Sequence, residues 1–114
     1  MLVRNAREIR QDSVEEKGAK GVRVRWLISR EDGAPVFAMR EFEIEPGGYT
    51  PYHSHDWEHE VYVLSGEGVV VGEDGGKPLK PDLVAFVPAG EMHNFKNTGQ
   101  ETFRFLCLVP HTDE

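Results

Sequence analysis

The sequence predicts an all-β fold, an antiparallel β-barrel or jelly roll, on three observations. Apolar and polar residues alternate over short runs, so that side chains two apart share a face. Turn signals recur every 8–12 residues, drawing on 12 Gly and 7 Pro in a chain of 114 residues. No segment carries the 3.6-residue apolar stripe of an amphipathic helix.

Residues 1–20 are polar and weakly patterned, and read as a lead-in strand or arm. "GVRVRWLIS" (21–29) alternates and is expected to place Val22, Val24, Trp26 and Ile28 on one face. "REDGAP" (30–35) turns at Asp32-Gly33. "VFAMREFEIE" (36–45) is the next strand, closed by "PGG" (46–48). "EVYVLSG" (60–66) and "EGVVVG" (67–72) flank a tight turn at Gly66, and "EDGG" (73–76) breaks the chain again. "DLVAFVP" (82–88), "HNFKN" (93–97) and "TFRFLCLV" (102–109) complete the set. With no linker, low-complexity tract or repeat, residues 1–114 read as one domain.

Composition narrows the function classes. At 39% hydrophobic and 29% charged residues the chain has the make-up of a soluble globular domain. Its net charge of −7 offers no basic stripe to displace counterions from a phosphate backbone, so nucleic acid is not an expected partner. Arg4, Arg7, Glu8 and Arg10 interrupt the N-terminal apolar residues, and nothing approaches a signal peptide or a membrane span. Cys107, the single cysteine, excludes an intrachain disulfide and fits a reducing compartment. The expected setting is cytoplasmic, with a small molecule as ligand.

Three of the five histidines fall in "PYHSHDWEH" (51–59). His55 and His59 have the i,i+4 spacing of the zinc-protease motif H-E-x-x-H, but that motif works on a helix and carries Glu where Asp56 stands. Pro51 before it and the β-rich "EVYVLSG" after it argue against a helix. On a strand, residues two apart point the same way, so His53 and His55 can converge on one ion. His59 keeps their parity with Val61 and Val63, whereas Glu60 and Tyr62 point to the other side. Parity therefore favours His59 over Glu60 as a third ligand.

Two spacings extend the pattern. Gly47, His53, His55, His59 and Gly66 are separated by five, one, three and six residues; Asp82, Pro88, Gly90, His93 and Asn97 by five, one, two and three. Over roughly residues 35–109 the sequence resembles the small single-domain cupins, with motif 1 at 47–66 and motif 2 at 82–97. His59 departs from the usual Glu, and "HSHDWEHEVYVLSGEG" with "FRFLCLVP" is similar to the four-histidine, manganese-binding kind. Asp82 stands where that family has Gly; Asp is among the residues that tolerate a left-handed backbone.

The resemblance implies that His53, His55, His59 and His93 ligate a divalent metal ion. Manganese comes from the resemblance alone, since imidazole also suits Fe, Ni, Zn and Cu. It further implies that Phe95, Phe105 and Cys107 line the metal chamber with Arg40 at its edge, and that the chain forms a homodimer. Tyr49, Tyr52 and Trp57 are candidates for the chamber's mouth, and His111 reads as an ordinary surface or hydrogen-bonded histidine. Four neutral imidazoles leave the ion its full charge and two open positions on a roughly octahedral ion. An oxidoreductase of dioxygenase-like activity is the first expectation. A metal-dependent isomerase or lyase and a non-catalytic binding module are the alternatives.

Overall fold

Alternation becomes nine antiparallel strands in the computed structural model, which describes residues 1–111. They are β1 (Asp12–Ser13), β2 (Lys20–Ile28), β3 (Phe37–Tyr49), β4 (His59–Ser65), β5 (Gly68–Gly72), β6 (Gly75–Leu79), β7 (Val84–Val87), β8 (Asn94–Asn97) and β9 (Phe103–Pro110). The hydrogen-bonded order is β6-β5-β8-β3-β9-β4-β7, with β2 on the other edge of β3 and β1 on β2. The sheet curls into a nearly closed barrel. Among the described residues the helical pieces are two 3-10 turns, Ala6–Glu8 and Arg30–Asp32, and no helix is long and apolar enough to cross a membrane.

Inward residues of successive strands make the core: Ala38 and Ile44 of β3, Val61 and Val63 of β4, and Phe103, Phe105 and Cys107 of β9 are all buried. Two turn positions set the barrel's corners. Gly66 has φ 80°, and a Cβ there would stand 2.3 Å from the Thr102 carbonyl oxygen, so only Gly fits. Asp82 takes the left-handed φ of 74° that its replacement of Gly requires, and its carboxylate accepts a 2.7 Å hydrogen bond from the Tyr62 hydroxyl.

Three details depart from the sequence reading. β3 does not stop at Pro46-Gly47-Gly48 but runs through them to Tyr49, because a register shift between Lys20 and Val22 of β2 absorbs the extra residues as a bulge. A second shift between Trp26 and Ile28 turns Leu27 inward and Ile28 out, so the face shared by Val22, Val24 and Trp26 does not extend to Ile28. Residues 75–79 form β6, paired with β5 by a tight hairpin at Gly72 and Gly75; Gly and Pro had masked its strand character. The outer edge of β2 is covered by the arm. The Val14 amide donates to the Val22 carbonyl at 2.9 Å, and Arg4 Nη2 to the Leu27 carbonyl at 2.7 Å.

The outward face of β3 holds a charge cluster. Glu41 is only 2% exposed and accepts hydrogen bonds from Arg7 of the arm, from Arg25 of β2 at 3.1 Å and from Arg104 of β9 at 2.7 Å. Burial alone would push its pKa up, but hydrogen bonds from Arg7 and Arg104 outweigh that and hold it below the usual carboxylate value. The arm is thereby clasped across the outside of the barrel. Its continuation, Val14 and Glu16, reaches round to the rim of the interior cavity.

Candidate metal centre

Backbone pairing between the two motifs brings the histidines together. His53 and His93 form an isolated antiparallel bridge, each amide donating to the other's carbonyl at 3.1 and 2.9 Å. The Gly90 amide donates to the His55 carbonyl at 2.7 Å, and the Thr50 amide to the Phe95 carbonyl at 2.9 Å, which fixes the flanks of that bridge. His59 opens β4 opposite Val87 of β7, and points inward with Val61 and Val63.

Nitrogens of His53, His55 and His93 can all lie within 4.8 Å of one another. The His59 and His55 Nε2 atoms are 2.8 Å apart, and the His59 ring centroid is 5.1 Å from that of His93. Glu60 is exposed on the opposite face. We expect Glu60→Ala to keep its full metal content and His59→Ala to lose most of it, by elemental analysis; the reverse would make this a three-His, one-Glu site.

A metal ion fits the donor set. His55 Nδ1 lies 2.9 Å from the Trp57 carbonyl oxygen and His93 Nδ1 2.8 Å from that of Glu91. A carbonyl only accepts, so each Nδ1 carries the proton and each Nε2 presents its lone pair. The Trp57 ring stacks on His55 at 4.4 Å and 6°, which fixes that imidazole further. Two Nε2 atoms 2.8 Å apart match neighbouring ligands of one ion, which sit about 3 Å apart for metal–nitrogen bonds near 2.1 Å. His59 Nδ1 has Cys107 Sγ at 3.2 Å and Arg40 Nη2 at 3.4 Å, and His53 Nδ1 stands 3.9 Å from Glu16 Oε2.

Burial favours the neutral form of His53, His55 and His59. Burial, reinforced by Arg40, pushes His59 down to about 3, and burial also lowers His53 and His55. Below about pH 6.5 the unfolded chain takes a proton at His59 that the fold refuses until about pH 3. Stability of the metal-free protein is therefore lost through that window as pH falls. Denaturant unfolding at pH 7 and pH 5 should differ by about 2 kcal/mol from this residue, a difference absent in His59→Asn.

The histidines open on a cavity of about 300 Å³. Phe95, Phe105, Cys107 and Arg40 line it. Trp57 is on the wall, but Tyr49 and Tyr52 are not; both are exposed, and Thr50 and Pro51 take the mouth positions between them. Sequence reasoning missed Val14, Glu16 and Trp26, which also line the cavity. Alternation had put Trp26 on the right face, but nothing in the arm's sequence signals that Glu16 returns to the barrel. A larger hollow of about 730 Å³ lies beyond the wall of Trp26, Arg40 and Trp57; of the histidines it contains only His111. His111 Nε2 donates to the Ala34 carbonyl at 2.7 Å, an ordinary structural role.

Known proteins resemble this chain in sequence and fold. The oxalate-binding protein of Thermotoga maritima is 36% identical over 96% of this chain and 93% of its own length. The polyketide cyclase RemF of Streptomyces resistomycificus superposes with a TM-score of 0.91 at 39% identity, over 96% of this chain and 79% of that one. Auxin-binding protein 1 of Arabidopsis thaliana is 30% identical over 95% of this chain and 58% of its own. The family described as the cupin domain matches residues 40–109, the stretch from β3 to β9 that carries both histidine motifs. By its fold, its two motifs and this match, the chain belongs to the cupin family.

Proposed function

We infer that the chain holds one divalent ion on His53, His55, His59 and His93, manganese before iron, and acts on a small organic molecule as an oxidoreductase of dioxygenase-like activity. The observation that carries this reading is four inward imidazoles at one end of a cavity walled by Phe42, Phe95 and Phe105. A bound ion would supply Lewis acidity and, as manganese or iron, redox capacity. The protein's own contribution is to present neutral ligands, to hold His55 by the Trp57 carbonyl and ring, and to keep water off the apolar walls.

A second reading is ion-assisted ring closure or isomerisation without net oxidation. Glu16 favours it, as a carboxylate on the cavity wall able to take a proton, and so does similarity to a polyketide cyclase. Cys107 separates the two readings. Its thiol is buried against His59 and Arg40, and burial raises its pKa, so it resists oxidation on its own. Under the oxidative reading, peroxide should convert Cys107 to sulfinic acid in metal-loaded protein and spare it in metal-free protein, by mass spectrometry. Equal oxidation in both would remove the oxidative reading and leave the second.

The cytoplasmic setting and the homodimer belong to the same proposal. Val84 and Phe86 of β7 are 70% and 59% exposed beside Tyr62 of β4, an apolar outer face that a second copy would cover. Light scattering should give a dimer mass for the native chain and a monomer for Phe86→Glu.

A further inference from the structure

Arg40 is unlike the other arginines of the barrel. Arg7, Arg25 and Arg104 all pair with Glu41 on the outside. Arg40, one residue earlier on β3, faces in, opposite Trp26 of β2 and Cys107 of β9. Among the described residues no carboxylate lies within ion-pair distance of it. Its Nη2 reaches only Cys107 Sγ, a weak acceptor, at 3.1 Å and stands 3.4 Å from His59 Nδ1, which carries the proton when Nε2 presents its lone pair, and its Nε is buried with no hydrogen-bond partner. Aromatic faces hold it in place, with the guanidinium carbon 4.9 Å from the Phe42 centroid and 5.4 Å from that of Trp26. Glu16, the one carboxylate on the cavity wall among the described residues, stands toward His53 instead.

A half-buried guanidinium whose Nε is fully buried and which has no counter-charge is costly, and both a donor and a positive charge are left over. An anion from outside resolves both. The geometry points to a small organic monoanion as the ligand of this cavity, its carboxylate or enolate oxygen received by Arg40 and its flat apolar body lying among Phe42, Phe95 and Phe105. One interior cation among aromatic walls matches one negative group on an apolar body. A compact dianion would leave a charge against those walls. The chain's net charge of −7 repels anions at long range, so any preference for them must arise at Arg40 itself. This ligand is the substrate of the site proposed above and rests on that reading for its chemistry, but its recognition by Arg40 needs no ion.

Calorimetric titration with benzoate and with its neutral isostere benzamide tests this, on protein of measured metal content and on protein stripped by a chelator. Benzoate should bind at least about tenfold more tightly than benzamide in both forms, as expected for a charge-assisted contact. Arg40→Met should bring the ratio close to one at unchanged metal content, and Arg40→Lys should keep part of it. The buried Nε–H resonance of Arg40, identified by its loss in Arg40→Lys, should shift on adding benzoate and stay in place with benzamide; this readout does not depend on Arg40→Met folding. Equal binding of the two probes by stripped protein, binding of neither, or a benzoate preference that survives Arg40→Met would each overturn the proposal. Full metal content beside any of those results leaves the metal reading standing; absent metal beside an Arg40-dependent preference does the opposite.

Discussion

Changing His55 and His93 together to alanine should take metal content from about one equivalent per chain to none. Both imidazoles belong to the cluster whose nitrogens lie within 4.8 Å of one another, and each is oriented by an Nδ1 bond to a carbonyl, that of Trp57 or Glu91. The backbone bridge between His53 and His93 involves main-chain atoms only, so alanine leaves the barrel's pairing intact. The lost side chains merely enlarge a cavity that already exists. The variant should therefore fold, and its melting temperature should ignore added metal. The native chain, at a thousandfold excess of ion over its dissociation constant, should gain about 4 kcal/mol. Elemental analysis and calorimetry with and without chelator measure both effects. Full metal retention by the double variant would sink the four-histidine assignment.

Glu41→Gln should be the most damaging single change away from the cavity. The carboxylate serves Arg7, Arg25 and Arg104 at once from a site 2% exposed, and Gln keeps its shape while removing its charge. Three guanidiniums would then share Glu43, which lies 2.9 Å from Arg25 and 3.9 Å from Arg104. Breaking a buried pair costs about 3–5 kcal/mol, and the remaining Glu43 argues for the lower end, near 3. For a domain of this size that is a fall in melting temperature of about 12 °C or more. The pH dependence follows the same group. Glu41's pKa is lowered by folding, so its contribution is whole above the unfolded carboxyl value of about 4.3 and fades as pH falls through the lower folded value. A loss under about 0.5 kcal/mol would mean that the cluster is no more than surface decoration.

The sequence made the inward face of this barrel legible because period-two alternation and the motif spacings are local properties. His59, Val61 and Val63 could be set apart from Glu60 and Tyr62 by parity, and Phe103, Phe105 and Cys107 by the same rule. Where pairing absorbs an extra residue the rule loses phase, and only the partner strand reveals it; hence the turn of Leu27 into the core and the passage of β3 through Pro46-Gly47-Gly48. Glu16 and the Glu41 cluster were illegible for another reason. Both depend on where a polar arm without periodicity comes to lie, and that is decided by Arg7 and Arg4 finding partners more than twenty residues away.

The pairing of β3 with β9 also sets the order in which the barrel can form. Phe37 lies opposite Pro110 and Ile44 opposite Phe103, so the central ladder joins segments 59 to 73 residues apart. During synthesis β2 and β3 can meet early, and β5 with β6 soon after, but neither pair can bury the phenylalanines that β9 supplies. A contact map dominated by such distant partners predicts folding in milliseconds to seconds rather than microseconds. Until residue 110 has left the ribosome, the apolar faces of β3 and β4 stay open to wrong partners, and that interval is when a nascent chain of this fold most needs a chaperone.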